Sequence, residues 1–118
     1  MQPILLADDD LDTLEGLRAL LRAWGYEVET AHDGRAALDR IGALRPSAVI
    51  TDLVMPAMDG LDLLEAVKRE DPDIPVIVMT GHGNLETRHR AVAGGALGYL
   101  AKPVDTAKLK SLLASAVR

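Results

Sequence analysis

Short apolar runs alternate with stretches of helical period along the whole chain. Pro3 to Ala7 is a continuous apolar run and predicts a buried strand. Leu14, Leu17, Leu20, Leu21 and Trp24 then recur on one helical face, and Gly25 supplies a C-terminal stop. Tyr26 to Thr30 alternates apolar and polar residues, which suits an edge strand better than a central one. Asp33-Gly34 opens a second helix with Ala37, Leu38, Ile41 and Leu44 inward, ending before Pro46. Ser47 to Thr51 is the third strand. A loop over residues 53–60 leads to a helix carrying Leu61, Leu64 and Val67 that stops near Asp71-Pro72. Pro75 to Thr80 is the fourth strand. Asn84 caps a helix from Leu85 to Ala93, closed by Gly94-Gly95, whose thin apolar stripe, mainly Leu85 and Val92, would anchor it only weakly. Leu97 to Ala101 is the fifth strand, and Asp105 caps a last helix with Leu109, Leu112, Leu113 and Ala116 inward.

Five strand–helix units in succession predict an α/β domain over residues 1–118, a (βα)5 parallel sheet with helices on both faces. Right-handed crossovers leave few arrangements, and the alternating second run marks itself as an edge. The expected strand order is 2-1-3-4-5, taken from flavodoxin-like doubly wound folds rather than dictated by the pattern. Ligands of such sheets bind beyond the carboxyl ends of the strands, near the switch between strands 1 and 3.

Composition sharpens this picture. The 118 residues are 48% hydrophobic with no Phe, one Trp and two Tyr, so the core is built from Leu, Val, Ile and Ala. A net charge of −5 argues against a face that tracks a nucleic-acid backbone. The absence of cysteine excludes disulfides, thiolate metal sites and cysteine nucleophiles. No basic n-region precedes Ile4, and no apolar run approaches the roughly 18 residues that span a bilayer. The expected location is the cytoplasm, without membrane contact.

The chemistry collects at the downstream ends of the strands. Asp8 and Asp9 follow the first run, Asp52 the third, Thr80 the fourth, and Lys102-Pro103 the fifth. Asp10 and Asp12 fit a bland role at a helix N-terminus, where a carboxylate gains about 0.3–1 kcal/mol. That is a weak reason to gather Asp8, Asp9 and Asp52 at one rim. A hard divalent cation such as Mg²⁺, with oxygen ligands, explains the cluster better. Acids instead of glycines follow the first strand, which counts against a nucleotide or flavin phosphate cradled there. Asp52 is the candidate nucleophile for an aspartyl phosphate, with the metal and Lys102 covering two phosphoryl oxygens and Thr80 or backbone N–H groups the third.

The motifs Ile4-Leu5-Leu6-Ala7-Asp8-Asp9-Asp10, Ile50-Thr51-Asp52 through Met55-Pro56 to Asp59-Gly60, Val78-Met79-Thr80-Gly81 and Lys102-Pro103 together resemble a response-regulator receiver domain of bacterial two-component signalling. The resemblance implies that Asp52 accepts a phosphoryl group from a sensor histidine kinase. It implies that Asp9 ligates Mg²⁺ directly and Asp8 directly or through water, with Asp52 and the Val54 carbonyl completing the protein ligands. It further implies that Lys102 pairs with the carboxylate and then the phosphoryl group, next to a cis bond to Pro103, with Gly81 following the switch hydroxyl. Thr80 would move toward the phosphoryl group and Tyr99 would swing inward behind it. The surface formed by the fourth helix, fifth strand and fifth helix would then control an output domain or partner, or a homodimer. The Val78-to-Gly83 and Leu61-to-Leu64 segments resemble receivers joined to transcriptional activators.

Two positions are expected to tune phosphate lifetime. Val54 and His82 lie two residues after Asp52 and Thr80, and the Val54 side chain cannot hydrogen-bond an attacking water, which predicts slow autodephosphorylation. His82 and the Arg88-His89-Arg90 run also fit plain surface residues. Two other functions stay open. An aspartyl-phosphate hydrolase would need an acid/base where Val54 stands, and a phosphorylation-independent scaffold would be expected to lack a residue among Asp9, Asp52, Thr80 and Lys102.

Overall fold

A computed structural model describes residues 2–117. The elements follow in strict alternation: β1 (Ile4–Ala7), α1 (Leu11–Ala23), β2 (Val28–Ala31), α2 (Gly34–Leu44), β3 (Ala48–Asp52), α3 (Gly60–Glu70), β4 (Val76–Thr80), α4 (Leu85–Ala93), β5 (Gly98–Ala101) and α5 (Thr106–Ala116). The strands form one parallel sheet in the order β2-β1-β3-β4-β5. This is the order expected from flavodoxin-like doubly wound folds.

Most strands start one or two residues later than the apolar runs. Pro3 and Pro75 have no N–H to give a neighbouring strand, so the ladder begins at Ile4 and Val76. Before each ladder the backbone is still tied in, Ser47 N–H donating to the Pro3 carbonyl at 2.9 Å and Val49 N–H to that of Pro75 at 2.9 Å. Tyr26 and Glu27 lead into β2 without joining it, and β2 lies at the sheet edge.

Strand side chains alternate between two cores. Leu5, Ala7, Val49, Val76 and Val78 face the side covered by Ala37 and Ile41 of α2, Leu61, Leu64 and Val67 of α3, and Ala91 of α4. Ile4, Leu6, Ile50, Ile77, Met79 and Leu100 face Leu14 and Leu21 of α1 and Leu109 and Leu113 of α5. On this second side Lys110 Nζ sits 5.6 Å from the centroid of the Trp24 ring, joining the C-terminal end of α1 to the middle of α5. α3 buries more than the expected stripe. Leu63 and Ala66 are also buried, because α3 packs against α2 and α4 as well as the sheet.

The fourth helix departs from its predicted orientation. Leu85 and Val92 are 86% and 64% exposed, and Ala91 is the buried position of α4. Nine residues with one small inward side chain anchor this helix to the sheet weakly. Its N-terminus is well defined instead by a capping box between Asn84 and Thr87.

Glycines separate into free and constrained positions. A Cβ on Gly16 in the middle of α1 would meet nothing within 4 Å, whereas one on Gly34 would overlap the Met58 carbonyl. Gly16→Ala is therefore expected to stabilise the fold by about 0.5–1 kcal/mol, and Gly34→Ala to destabilise it by roughly 1–3 kcal/mol. Denaturant midpoints at constant m-value check both signs.

Candidate functional site

The carboxyl ends of β1, β3, β4 and β5 bring together the residues expected there. Continuing the strand alternation, Asp8, Asp52 and Lys102 follow Leu6, Ile50 and Leu100 on the α1–α5 side, while Thr80 follows Val78 on the α4 side. One carboxylate oxygen from each of Asp8, Asp9 and Asp52 lies within 4.8 Å of the others. The donor set is all oxygen and anionic, the chemistry that suits a hard divalent cation.

The three acids are not equivalent. Asp8 is fully buried, and both its oxygens have protein partners: Oδ1 accepts from the Asp10 N–H at 2.9 Å and Oδ2 from Lys102 Nζ at 3.0 Å. Asp9 is exposed. Asp52 is buried at the end of β3, 3.3 Å from Lys102 Nζ. The lysine thus makes its shorter contact with Asp8, although the resemblance pairs it with the phosphoacceptor. Asp10 caps α1, accepting from Asp12 N–H at 3.2 Å and from the Thr13 hydroxyl at 2.7 Å, and Asp12 lies in the first turn, as their helix-terminal reading requires.

Burial pushes the Asp52 carboxyl above the ordinary carboxylate value and the neighbouring Asp8 charge adds to this, while the charge and hydrogen bond of Lys102 pull it down without cancelling the rise. For Lys102, burial opposes the charged form, yet the hydrogen bond to Asp8 and the charges of Asp52 and Asp8 outweigh it and raise its pKa. Lys102 pairs with Asp8 and Asp52, and the nearby Asp9 carboxylate has no contact with that ammonium, so carboxylates outnumber ammonium groups at the rim.

The loop after β3 is held close to Asp52. Leu53 N–H donates to the Met79 carbonyl and Gly60 N–H to the Leu53 carbonyl, both at 2.8 Å. A Cβ on Gly60 would overlap the Asp52 carbonyl and come 2.9 Å from Leu53 Cα, so the turn closes only on glycine. Thr51 donates to the Asp52 carbonyl at 2.9 Å. Val54 projects its side chain into solvent at 57% exposure.

On the β4 side the Thr80 hydroxyl, buried, accepts from the His82 N–H at 3.0 Å, and the Thr80 carbonyl accepts from Lys102 N–H at 2.8 Å. The His82 side chain is exposed. Gly81 is exposed, and a Cβ there would meet nothing within 4 Å. The restricted position is Gly83, where a Cβ would overlap the Tyr99 hydroxyl and approach Thr80 Cγ2 to 2.8 Å. The Lys102–Pro103 peptide bond is cis, as the resemblance implies.

Tyr99 is half-buried against the α2–α4 core, and its hydroxyl lies 2.7 Å from Thr87 Oγ1 on α4. The sequence pattern singles out Tyr99 but neither Thr87 nor Gly83. The spacing Asn84-x-x-Thr87 at a helix start is the signal that marks Thr87 as a capping residue; its second partner depends on where β5 lies.

A raised Asp52 opposes folding when ionised. Its contribution is intact below the ordinary carboxylate range, about 3.9, and is lost as pH rises through the raised value. Asp52→Asn is therefore expected to stabilise the fold at pH 7, by an amount on the order of 1 kcal/mol, with the difference shrinking toward pH 3. Thermal unfolding of both proteins across that range measures it, and a variant less stable at pH 7 would contradict the electrostatic account.

Comparison with known proteins places these features in context. A family profile described as "Response regulator receiver domain" matches residues 4–114. The transcriptional regulatory protein ZraR of Klebsiella oxytoca is 40% identical over 114 residues, covering 97% of this chain and 26% of the relative. The response regulator MprA of Mycolicibacterium vanbaalenii is 38% identical over 115 residues, covering 98% of this chain and 50% of its own length. Among solved structures, a response regulator receiver domain from Clostridium thermocellum superposes with a TM-score of 0.94 at 34% identity, covering 99% of this chain and 94% of the other. The chemotaxis protein CheY4 of Vibrio cholerae gives 0.90 at 32% identity, with 99% of each chain covered. The chain spans about a quarter of the length of the ZraR relatives it matches.

Proposed function

Because the chain belongs to the response regulator receiver domain family, we propose that residues 1–118 form one phosphoacceptor domain in which Asp52 takes a phosphoryl group from a sensor histidine kinase. The observation that carries this reading is the Lys102 ammonium bridging Asp8 and Asp52 at 3.0 and 3.3 Å. An Asp52 oxygen forms a bond to phosphorus, the N–P bond of the phosphohistidine breaks, and the imidazole nitrogen keeps the electron pair. Asp8, Asp9 and Asp52, with the Val54 carbonyl, would hold Mg²⁺, which when bound supplies positive charge to the phosphoryl oxygens.

The chain's own groups do the rest. Lys102 is already drawn to the reacting carboxylate and can follow its charge onto the phosphoryl oxygens. Thr80 accepts from His82 N–H and still has its O–H to donate to an incoming oxygen. Asp8, with both oxygens engaged, keeps Lys102 in place and contributes negative charge that favours a cation. The domain catalyses its own modification, and the exposed apolar Val54 offers no side-chain acceptor to a water attacking the aspartyl phosphate, so dephosphorylation is slow.

Transcriptional regulators among the relatives support an output that controls transcription through another domain or partner; a homodimer on phosphorylation through α4, β5 and α5 is part of the same proposal. Among the described residues no helix is long and apolar enough to cross a membrane, which fits a cytoplasmic switch. A net charge of −5 fits a domain that does not itself bind nucleic acid.

Incubation with acetyl phosphate and Mg²⁺ followed by intact mass tests the reading. One phosphoryl adduct is expected, absent in Asp52→Asn and formed on the order of 10²-fold more slowly in Lys102→Ala. No adduct on the unaltered chain would favour a scaffold, and continuous phosphate release a hydrolase. Val54→Asn is expected to shorten the adduct lifetime by about tenfold; an unchanged half-life counts against the proposed tuning, and His82→Ala provides the parallel test at the second position.

A further inference from the structure

Thr87 holds more of the switch region together than its place at an exposed helix start suggests. Its amide donates to Asn84 Oδ1 at 2.9 Å, and its hydroxyl accepts from Asn84 N–H at 3.1 Å. The same hydroxyl lies 3.1 Å from the Asn84 carbonyl and 2.7 Å from the Tyr99 hydroxyl. A threonine has one O–H to give. All of these bonds coexist when Tyr99 donates to Thr87 and Thr87 donates to the Asn84 carbonyl. The phenol of β5 is then the donor that completes the α4 cap.

This link matters because α4 has little else. Among the described residues its polar side-chain ties to the rest of the molecule are this bond and an exposed Arg90–Glu65 pair at 4.0 Å. Its buried side chain is Ala91. Tyr99 in turn lies under Gly83 beside the Thr80 methyl, and both residues line a groove of about 380 Å³ between the β4–α4 loop and β5. Movement of Thr80 toward Asp52 would vacate space beside the Tyr99 ring, and the ring can enter it only by withdrawing its hydroxyl from Thr87.

We propose that Thr87 is a positioning residue that stabilises the resting state by accepting from Tyr99, so that switching at Thr80 uncaps the first turn of α4. The proposal rests on the receiver reading and adds the residue through which the helix is released. A bond made in one state and absent in the other shifts the balance by its own worth, about two- to tenfold for a neutral hydrogen bond.

The test compares the intact chain with Thr87→Val, Thr87→Ser, Tyr99→Phe and the Thr87→Val/Tyr99→Phe pair. Amide chemical shifts of Ala91 and Val92 are recorded without donor and after acetyl phosphate and Mg²⁺. Thr87→Val, without donor, is expected to move these shifts toward the phosphorylated positions, raising the switched-to-resting ratio about two- to tenfold. Thr87→Ser keeps the hydroxyl and stays at rest. In the Tyr99→Phe background Thr87→Val has a clearly smaller effect, because the shared bond is already gone. Resting shifts in Thr87→Val, or an effect undiminished beside Tyr99→Phe, overturn the proposal. If the unaltered chain takes no phosphoryl group, the receiver reading falls and this inference with it; an adduct with silent Thr87 variants removes this inference alone.

Discussion

Like charges gathered at the carboxyl edge of a sheet repel, and in this protein one ammonium is shared between the two buried acids of the rim. Lys102 reaches Asp8 at 3.0 Å and Asp52 at 3.3 Å from the end of β5, two strands away from β3. That bridge is incomplete compensation. The Asp52 carboxyl stays raised by burial and by Asp8, and Asp9 adds a further negative charge at the surface. The same imbalance that costs stability suits the rim to a hard cation, whose charge would offset it. Stability is given up at the place where the proposed chemistry would occur.

The rest of the architecture separates rigid from yielding parts around this rim. β1, β3 and β4 are buried along their whole lengths, and the side chains that hold Asp8 and Asp52 are fixed by both cores. The loop after β3 is closed by Gly60 against the backbone of Asp52 itself. α4 is the opposite case. It turns Leu85 and Val92 to solvent and depends on a cap rather than on buried area. A helix held by few contacts opens at little free-energy cost, which is what the proposed movement of Thr80 would need to shift it without disturbing the sheet.

Much of this was legible along the chain because it rests on local rules. Apolar runs, caps at Asn84 and Asp105, and the prolines before β1 and β4 placed the elements to within one or two residues. Asp8, Asp52, Thr80 and Lys102 were visible because strand ends of a parallel sheet meet at one edge. The missed features are those set by packing between elements. α4 turned out of its predicted orientation because Ala91 lets the helix sit close to the sheet, and apolar periodicity over nine residues with two large side chains cannot reveal that. Lys102 favouring Asp8, Tyr99 finding Thr87, and Gly83 rather than Gly81 being sterically restricted all depend on distances between strands and loops that sequence spacing does not contain.

The alternation of the two cores has a consequence for how such a device can be altered. Asp52 and Lys102 share the α1–α5 side, and Thr80 and Tyr99 serve the α4 side, because each stands an even number of residues from a core position of that side. Parity is an integer property. Inserting or deleting one residue late in β4 would hand the Thr80 hydroxyl to the opposite face rather than displace it slightly. The connection between chemistry and helix is therefore digital: it can be cut or rerouted in whole-residue steps, while graded adjustment is confined to the loops beyond the strand ends.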